Sequence, residues 1–121
     1  MTGSAVHSRN PNNLCVFCTP KGVVRQNEFA YCARDTYPVS LGHSLVIPFR
    51  HCPDFFQLTP DEHRALFDLL AIERDAIAEE YKPDGYNVGI NVGTAAGQSV
   101  FHVHIHLIPR YTGDHPHPQG G

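Results

Sequence analysis

Three histidines alternate with apolar residues near the end of the chain, in the run His102-Val103-His104-Ile105-His106. Alternate side chains of a β-strand point to the same face, so the three imidazoles would line one side of a strand at intervals of about 6.6 Å. The apolar side chains between them would pack on the other side. The run therefore predicts a strand with an apolar underside and a working face of imidazole groups.

A row of imidazoles is compatible with three kinds of chemistry. The side chains could simply be exposed on a sheet face, or His102, His104 and His106 could hold a catalytic zinc ion that activates water. In the third kind, a neutral imidazole attacks a phosphorus atom near pH 7 and a neighbouring histidine protonates the leaving group. The preceding turn favours this third interpretation, because Gly97 makes the backbone flexible and Ser99 offers a hydroxyl to a phosphate oxygen.

Cys15 and Cys18 form a Cys-x-x-Cys motif ahead of the first predicted strand. Such a pair can be two small buried residues, a thioredoxin-like redox motif or half of a zinc site. The redox motif is expected where a strand meets a helix, and no helical pattern follows here. Zinc requires two more ligands, which His51 and His102 can supply to make a closed structural Cys2His2 site. Of the other cysteines, Cys52 is expected only to pack.

The composition limits the choice of partners and location. A chain of 121 residues fits one domain, and its net charge of −3 argues against a broad surface for nucleic acid or membranes. The N-terminus lacks the apolar core of a signal peptide and no apolar run approaches a membrane span, which predicts a cytoplasmic protein with reduced thiols. We predict a flexible segment over 1–13, a domain over 14–112 and an irregular tail over 113–121.

The elements that must position these groups follow from local patterns. Strands are predicted at 23–26, 29–34, 45–47, 86–92 and 99–108, the last of them stopped by Pro109. A helix is predicted to begin after Thr59, with Pro60 at its first position and Glu62 completing a capping box. Pro83 and Gly85 are expected to end it.

One long helix among several strands predicts an α+β fold with a mainly antiparallel sheet. Leu66, Leu69, Leu70 and Ile77 recur at helical spacing and are expected to face that sheet. A single helix covers only one face of a sheet. The other face is therefore expected to be the floor of a ligand site, a dimer surface or both.

Three segments of the chain together resemble the histidine triad (HIT) family. They are residues 97–108 (GQSVFHVHIHLI), residues 42–48 (GHSLVIP) and residues 35–39 (DTYPV). The resemblance extends from about Cys15 to Asp114, and its triad motif is highly specific. It implies a HIT-like sheet of about five antiparallel strands with one long helix and a short one, extended across a homodimer.

The resemblance also implies a role for each site residue. His104 matches the nucleophile that forms a nucleotidyl-histidine intermediate, with its second ring nitrogen bonded to a backbone carbonyl. His106 matches the residue that contacts the phosphate and assists the leaving group, and His43 matches a supporting histidine. Asp35 matches an acceptor for ribose hydroxyls. Asn91 and Ser99 match polar groups around the α-phosphate and leaving group, and Ser99 is counted among the catalytic residues as well. Gln98 is expected to bind the substrate.

The activity implied by the resemblance is nucleotide hydrolysis. The expected substrates are purine nucleotides that release AMP, namely phosphoramidates, acyl-adenylates and dinucleoside polyphosphates. The alternatives are a nucleotidyltransferase of the same family and a nucleotide-binding sensor with weak catalysis. Uridylyl-transferring relatives carry glutamine where this chain has His106, which argues for hydrolysis. Some relatives also hold a structural zinc ion through ligands that match Cys15, Cys18, His51 and His102.

Overall fold

The computed structural model describes residues 15–119, so the segment predicted to be flexible at 1–13 lies outside the described residues. The elements are β1 (Val23–Gln26), β2 (Ala30–Arg34), β3 (Ser44–Pro48), α1 (Pro60–Tyr81), β4 (Gly85–Gly89) and β5 (Ile105–Arg110). The strands form one antiparallel sheet in the order β1-β2-β3-β5-β4, which confirms the predicted α+β class. Within residues 15–119, no helix combines the length and apolarity needed to cross a bilayer.

Helix α1 begins where the sequence predicts, at a complete capping box. The Thr59 hydroxyl accepts the Glu62 N–H at 3.1 Å, and the Glu62 carboxylate accepts the Thr59 N–H at 2.8 Å. These bonds satisfy backbone donors that the start of a helix leaves without partners. The helix ends before Lys82, whose φ of 50° lies in the left-handed region that commonly terminates helices. The end predicted from Pro83 is therefore close to the observed one.

Helix α1 covers one face of the sheet and leaves the other open. Side chains alternate between the two faces along each strand. On the helix side, the main core contains Cys32, Cys52, Val46, Ile105, Leu66 and Leu69. On the opposite side, a smaller cluster forms from Tyr31, Ala33, Leu45 and Ile47, with Phe17 and Phe49 packed against it. We call Tyr31, Ala33, Leu45 and Ile47 the apolar floor.

The final strand is shorter than predicted, and this separates the histidines. β5 starts at Ile105 instead of residue 99, because the segment before it turns inward. His102 is fully buried, and its Nε2 donates to the carbonyl of Pro48 at 2.8 Å. The prediction that three histidines share one strand face is therefore wrong: His102 lies in the interior, and His104 lies just before the strand.

Two smaller differences concern the ends of elements. β4 stops at Gly89, three residues before its predicted end, and the loop after it contains a 3-10 turn at Thr94–Ala96. The short helix expected beside the long one is a 3-10 helix, Phe55–Gln57, which precedes α1. β5 continues through Pro109, because beyond Leu107 it pairs only with β4.

Glu73 lies fully buried in the middle of α1, at the centre of a charged cluster. Its carboxylate pairs with the guanidinium groups of Arg25 and Arg34, and it accepts a hydrogen bond from the Ser44 hydroxyl at 2.9 Å. The cluster therefore ties the helix to β1, β2 and β3. Burial, with the charge of Glu73 adding to it, raises the pKa of the Cys32 thiol to about 12, so this thiol stays protonated.

We expect Glu73→Ala to lower the free energy of unfolding by about 3 kcal/mol, because it leaves a buried hydroxyl and two arginines without their shared acceptor. The midpoint of urea unfolding should fall while its slope stays unchanged. Asp75→Ala is the matched control on the same helix, since Asp75 is exposed and pairs only with its neighbour Arg74 among the ion pairs of residues 15–119. A Glu73→Ala protein as stable as Asp75→Ala would contradict this expectation.

Candidate active site and metal centre

A cavity of about 740 Å³ lies over the open face of the sheet, above the apolar floor. Its volume is within the range of about 300–1,000 Å³ that is usual for small-molecule sites. Five residues predicted to act on a nucleotide line it: Asp35, Asn91, Ser99, His104 and His106. His43 is buried next to His106, outside the lining. The fold thus brings together most of the residues that the sequence marks as a site.

His104 is held in one tautomer by the main chain. Its Nδ1 lies 2.9 Å from the carbonyl oxygen of His102, and Nδ1 carries the hydrogen because a carbonyl can only accept. The lone pair of Nε2 is then available to a molecule in the cavity. The bond to a backbone carbonyl expected for this residue is therefore present.

A chain of hydrogen bonds fixes the tautomers of His43 and His106 as well. The Val39 N–H donates to Nδ1 of His43 at 3.0 Å, so the neutral His43 ring carries its hydrogen on Nε2. That Nε2 lies 3.0 Å from Nδ1 of His106 and 3.3 Å from a carboxylate oxygen of Asp35. Because His106 accepts at Nδ1, its own hydrogen is on Nε2, where it can be donated to a bound group.

Burial keeps these two imidazoles neutral at pH 7. It lowers the pKa of His106 to about 4, and the neighbouring rings of His104 and His43 add to this effect. Burial also lowers the pKa of His43, against the opposing influence of the Asp35 carboxylate. An anionic phosphate in the cavity would act in the same direction as that carboxylate and raise both pKa values.

Phe17, which no sequence motif specifies, also lines the cavity. Its ring centroid lies 5.0 Å from that of His104 and 6.0 Å from that of His102. Its carbonyl accepts a hydrogen bond from the Tyr31 hydroxyl at 2.7 Å. One sequence feature could have indicated Phe17: it lies between Cys15 and Cys18, two candidate metal ligands. A bound metal would fix the backbone between these ligands and with it the position of Phe17.

Gln98 does not occupy the position expected of a substrate-binding residue. Its side chain is buried and is not part of the cavity lining. The amide is instead hydrogen-bonded to backbone groups of Gly93, Pro53 and Val100. Its neighbour Ser99 lines the cavity, which shows that the two adjacent side chains point in different directions.

The four metal ligands predicted from the cysteine pair come together beside this cavity. Nδ1 of His102 lies 3.3 Å from the sulfur of Cys15 and 3.6 Å from that of Cys18. Nδ1 of His51 lies 3.2 Å from the sulfur of Cys18 and 3.3 Å from Nδ1 of His102. Zinc bonds of about 2.0–2.3 Å in a tetrahedron space the ligand atoms at roughly 3.3–3.8 Å. The arrangement therefore fits a four-coordinate zinc ion.

The outer bond of His102 also fits a metal ligand. Metal-binding histidines usually donate their second ring N–H to a carbonyl or carboxylate, which fixes the other nitrogen as the ligand. Nε2 of His102 donates to Pro48 in this way, so Nδ1 is free for the metal. Both ring nitrogens are thereby directed away from His104 and His106. The alternative in which the three triad histidines share a catalytic zinc ion is not supported by this geometry.

A second group of potential ligands, Asp35, His43 and His106, fits a metal ion less well. The outer nitrogen of His43 accepts the Val39 N–H, so the nitrogen facing the other two residues carries the hydrogen. A metal ligand requires the opposite arrangement, with the lone pair on the inside. This group is therefore arranged for hydrogen bonding.

Comparison with known proteins identifies the class to which this fold and site belong. The model of the HIT domain family matches residues 17–113. A crystal structure of a HIT family protein from Bacillus anthracis has a TM-score of 0.79 and 38% identity, covering 84% of this chain and 77% of that one. A Zn-bound histidine triad family protein from Mycobacterium smegmatis has a TM-score of 0.71 and 32% identity, covering 88% and 86%. The chain belongs to the HIT family.

Two curated relatives have names that describe an activity. "Adenylylsulfatase HINT3" of Arabidopsis thaliana is 37% identical over an alignment of 111 residues that covers 87% of this chain and 56% of that protein. "AP-4-A phosphorylase" of Mycobacterium tuberculosis is 36% identical over 93 residues, which are 76% of this chain and 48% of that protein. The chain thus spans about half the length of each. The family to which it belongs includes nucleotide-processing enzymes.

Proposed function

We propose that the protein hydrolyses nucleotides in which AMP is bonded to a leaving group, through a nucleotidyl intermediate on His104. The observation that carries this proposal is the 2.9 Å bond from Nδ1 of His104 to the carbonyl of His102, which keeps Nε2 free as a nucleophile. The leaving group is the amine of a phosphoramidate, the acyl group of an acyl-adenylate or the phosphate chain of a dinucleoside polyphosphate. The names of the two curated relatives support adenine nucleotides as the substrate class.

In the first step, Nε2 of His104 attacks the α-phosphorus and the bond to the leaving group breaks. The bound phosphate raises the pKa of His106, so that this residue can take up a proton and pass it to the departing atom. Ser99 and Asn91 line the same cavity and can donate hydrogen bonds to the phosphoryl oxygens as charge develops on them. This step yields AMP bonded to His104 and the protonated leaving group.

In the second step, water attacks the same phosphorus and the nitrogen–phosphorus bond breaks. His106, neutral after giving its proton to the leaving group, accepts a proton from the attacking water. When AMP leaves, the pKa of His106 falls again and this proton passes to solvent, so both histidines return to their starting state. His43 and Asp35 support His106 from behind through the 3.0 Å and 3.3 Å contacts of the His43 Nε2 atom. They hold the ring of His106 with its Nε2 available to the substrate in both steps.

The nucleoside occupies the part of the cavity above the apolar floor. Tyr31, Leu45 and Ile47 offer an apolar surface for a base, and the ring of Phe17 closes it beside His104. Each Asp35 oxygen already has one partner, the Tyr37 N–H or His43, and retains a lone pair for a ribose hydroxyl. The pocket therefore offers separate surfaces to the base, the ribose and the phosphate.

A zinc ion held by Cys15, Cys18, His51 and His102 would have all four positions filled by protein. Its contribution would be structural: it would fix the loop that carries Phe17. This role differs from that of a catalytic zinc ion, which needs an open position for water or substrate.

The homodimer and the cytoplasmic location stay predictions. β4 is an edge strand of the sheet, and its Val88 side chain is 54% exposed. A second copy that paired along β4 would extend the sheet and cover this edge.

The decisive experiment is rapid mixing of the protein with an adenosine phosphoramidate, followed by mass spectrometry of the intact chain. We expect a transient increase in mass equal to one adenylyl group, which disappears as AMP is released. Replacement of His106 by asparagine removes its proton transfer from both steps. With an acyl-adenylate, whose carboxylate leaves without being protonated, only the second step should slow, and the adduct should accumulate. Turnover with no adduct in either protein would contradict the proposal and favour direct attack by water.

A further inference from the structure

Gln98 connects three separate backbone segments through one side chain. Its side chain is only 5% exposed, and its Oε1 accepts the Gly93 N–H at 2.7 Å. Its Nε2 donates to the carbonyl of Pro53 at 2.8 Å and to that of Val100 at 3.2 Å. Both amide hydrogens and the amide oxygen therefore have backbone partners, and of these partners only Val100 also lines the cavity.

The first of these bonds closes the loop that faces the phosphate end of the cavity. Besides the side-chain bond from Gly93, the Gln98 N–H donates to the Gly93 carbonyl at 3.1 Å, so two bonds join the ends of the loop. Gly97 takes a φ of 91° in this loop, a conformation that glycine adopts most easily. Of the proposed phosphate ligands, Ser99 directly follows this closed ring and Asn91 lies two residues before it; both line the cavity.

The bond to Pro53 anchors the closed loop to the rest of the site. Pro53 follows Cys52, whose carbonyl accepts the Val103 N–H at 2.8 Å. Val103 directly precedes the proposed nucleophile His104. The segment Cys52-Pro53 is therefore bonded to two parts of the site: to Gln98 in the closed loop and to Val103 beside the proposed nucleophile. These two bonds fix the distance between the closed loop and His104.

We propose that Gln98 is a positioning residue, which holds Asn91 and Ser99 in place relative to His104. This inference rests on the proposed function, since it assigns a task to Gln98 in the same reaction. Misplacement of a catalytic group by about 1 Å can lower a rate about 100-fold. Loss of the Gln98 bonds should therefore lower the rate of attack at phosphorus and weaken binding of the phosphate group, and leave binding of the nucleoside unchanged.

The test compares wild-type protein with Gln98→Met, which keeps the size of the side chain and removes its hydrogen bonds. The single-turnover rate with an adenosine phosphoramidate should fall about 10–100-fold. The affinity for AMP should fall toward that for adenosine, whereas the affinity for adenosine should change by less than about twofold, because the apolar floor and Asp35 are untouched. Gln98→Glu tests the bond to Pro53 separately, because it keeps an oxygen to accept the Gly93 N–H and loses the N–H donated to the Pro53 carbonyl. This variant should also slow the reaction.

Ile77→Val is the control for a general loss of stability, because Ile77 is fully buried in α1 and does not line the cavity. It should leave the single-turnover rate unchanged. Equal losses of adenosine and AMP affinity in Gln98→Met would indicate general loosening and overturn the positioning role, as would an unchanged rate in folded Gln98→Met or Gln98→Glu. If wild-type protein itself formed no adduct, the failure would lie with the proposed function instead.

Discussion

Replacing His104 with alanine is expected to lower the rate of AMP release by at least about 10⁴-fold. The substitution removes the nitrogen that would bond to phosphorus, and no mass adduct should form. AMP affinity should change little, because the apolar floor, Asp35, Asn91 and Ser99 remain in place. Stability should also be nearly unchanged, since the His104 side chain is only half-buried. The measurements are the single-turnover rate, intact mass and titration calorimetry with AMP.

His117→Ala is the matched control, since it makes the same change at an exposed position of the tail. Its rate should equal that of the wild-type protein. A His104→Ala protein that kept more than a few per cent of the wild-type rate would rule out a nucleotidyl-histidine at this position. Unchanged AMP binding together with full biological activity in that variant would favour the alternative of a nucleotide sensor.

The second large effect is expected from loss of the metal ligands. Cys18→Ala should reduce bound zinc from about one ion per chain to nearly none, because three ligands hold zinc much less tightly than four. A ligand present at 1,000 times its dissociation constant stabilises the folded state by about 4 kcal/mol. For a domain of this size such a loss corresponds to a melting temperature lower by roughly 15 °C. Elemental analysis and thermal unfolding with and without a chelator measure the two effects.

Cys32→Ala separates metal loss from the loss of a buried thiol. Cys32 is also fully buried, but it packs in the main core and is not one of the four ligands. This variant should keep its zinc and lose only about 1 kcal/mol of stability. Wild-type protein that purified without metal and melted at the same temperature in chelator would contradict a structural zinc site.

The parts of the fold that follow from the sequence are those with local causes. The start of α1 could be predicted, because Thr59 and Glu62 complete a bond pattern within four residues. The pattern starts the final strand too early, because alternation of apolar and polar residues predicts a regular strand from residue 99 onward, whereas β5 begins at Ile105. The orientation of His102 has a different cause: its ring points inward and contacts two cysteines more than 80 residues earlier in the chain. Such a long-range contact leaves no trace in local periodicity.

The candidate site divides in the same way. His104 and His106 could be recognised from their motif, and the cysteine pair correctly pointed to His51 and His102 as its partners in a cluster. Phe17 and the apolar floor could not be recognised, because they are ordinary core-type residues until the sheet places them next to the histidines. The task of Gln98 depends on the direction of its side chain in an irregular loop, which spacing along the chain does not determine.

The hydrogen bond from His104 ends on a peptide oxygen, and this has a consequence for how the family can diversify. Every amino acid offers the same oxygen at position 102, so the proposed nucleophile would keep its tautomer whichever side chain evolution places there. A histidine at position 102 can therefore arise as a metal ligand, or disappear together with the cysteines, while the hydrogen bond that fixes the His104 tautomer stays the same. A lineage could acquire or abandon its metal while its chemistry continued unchanged.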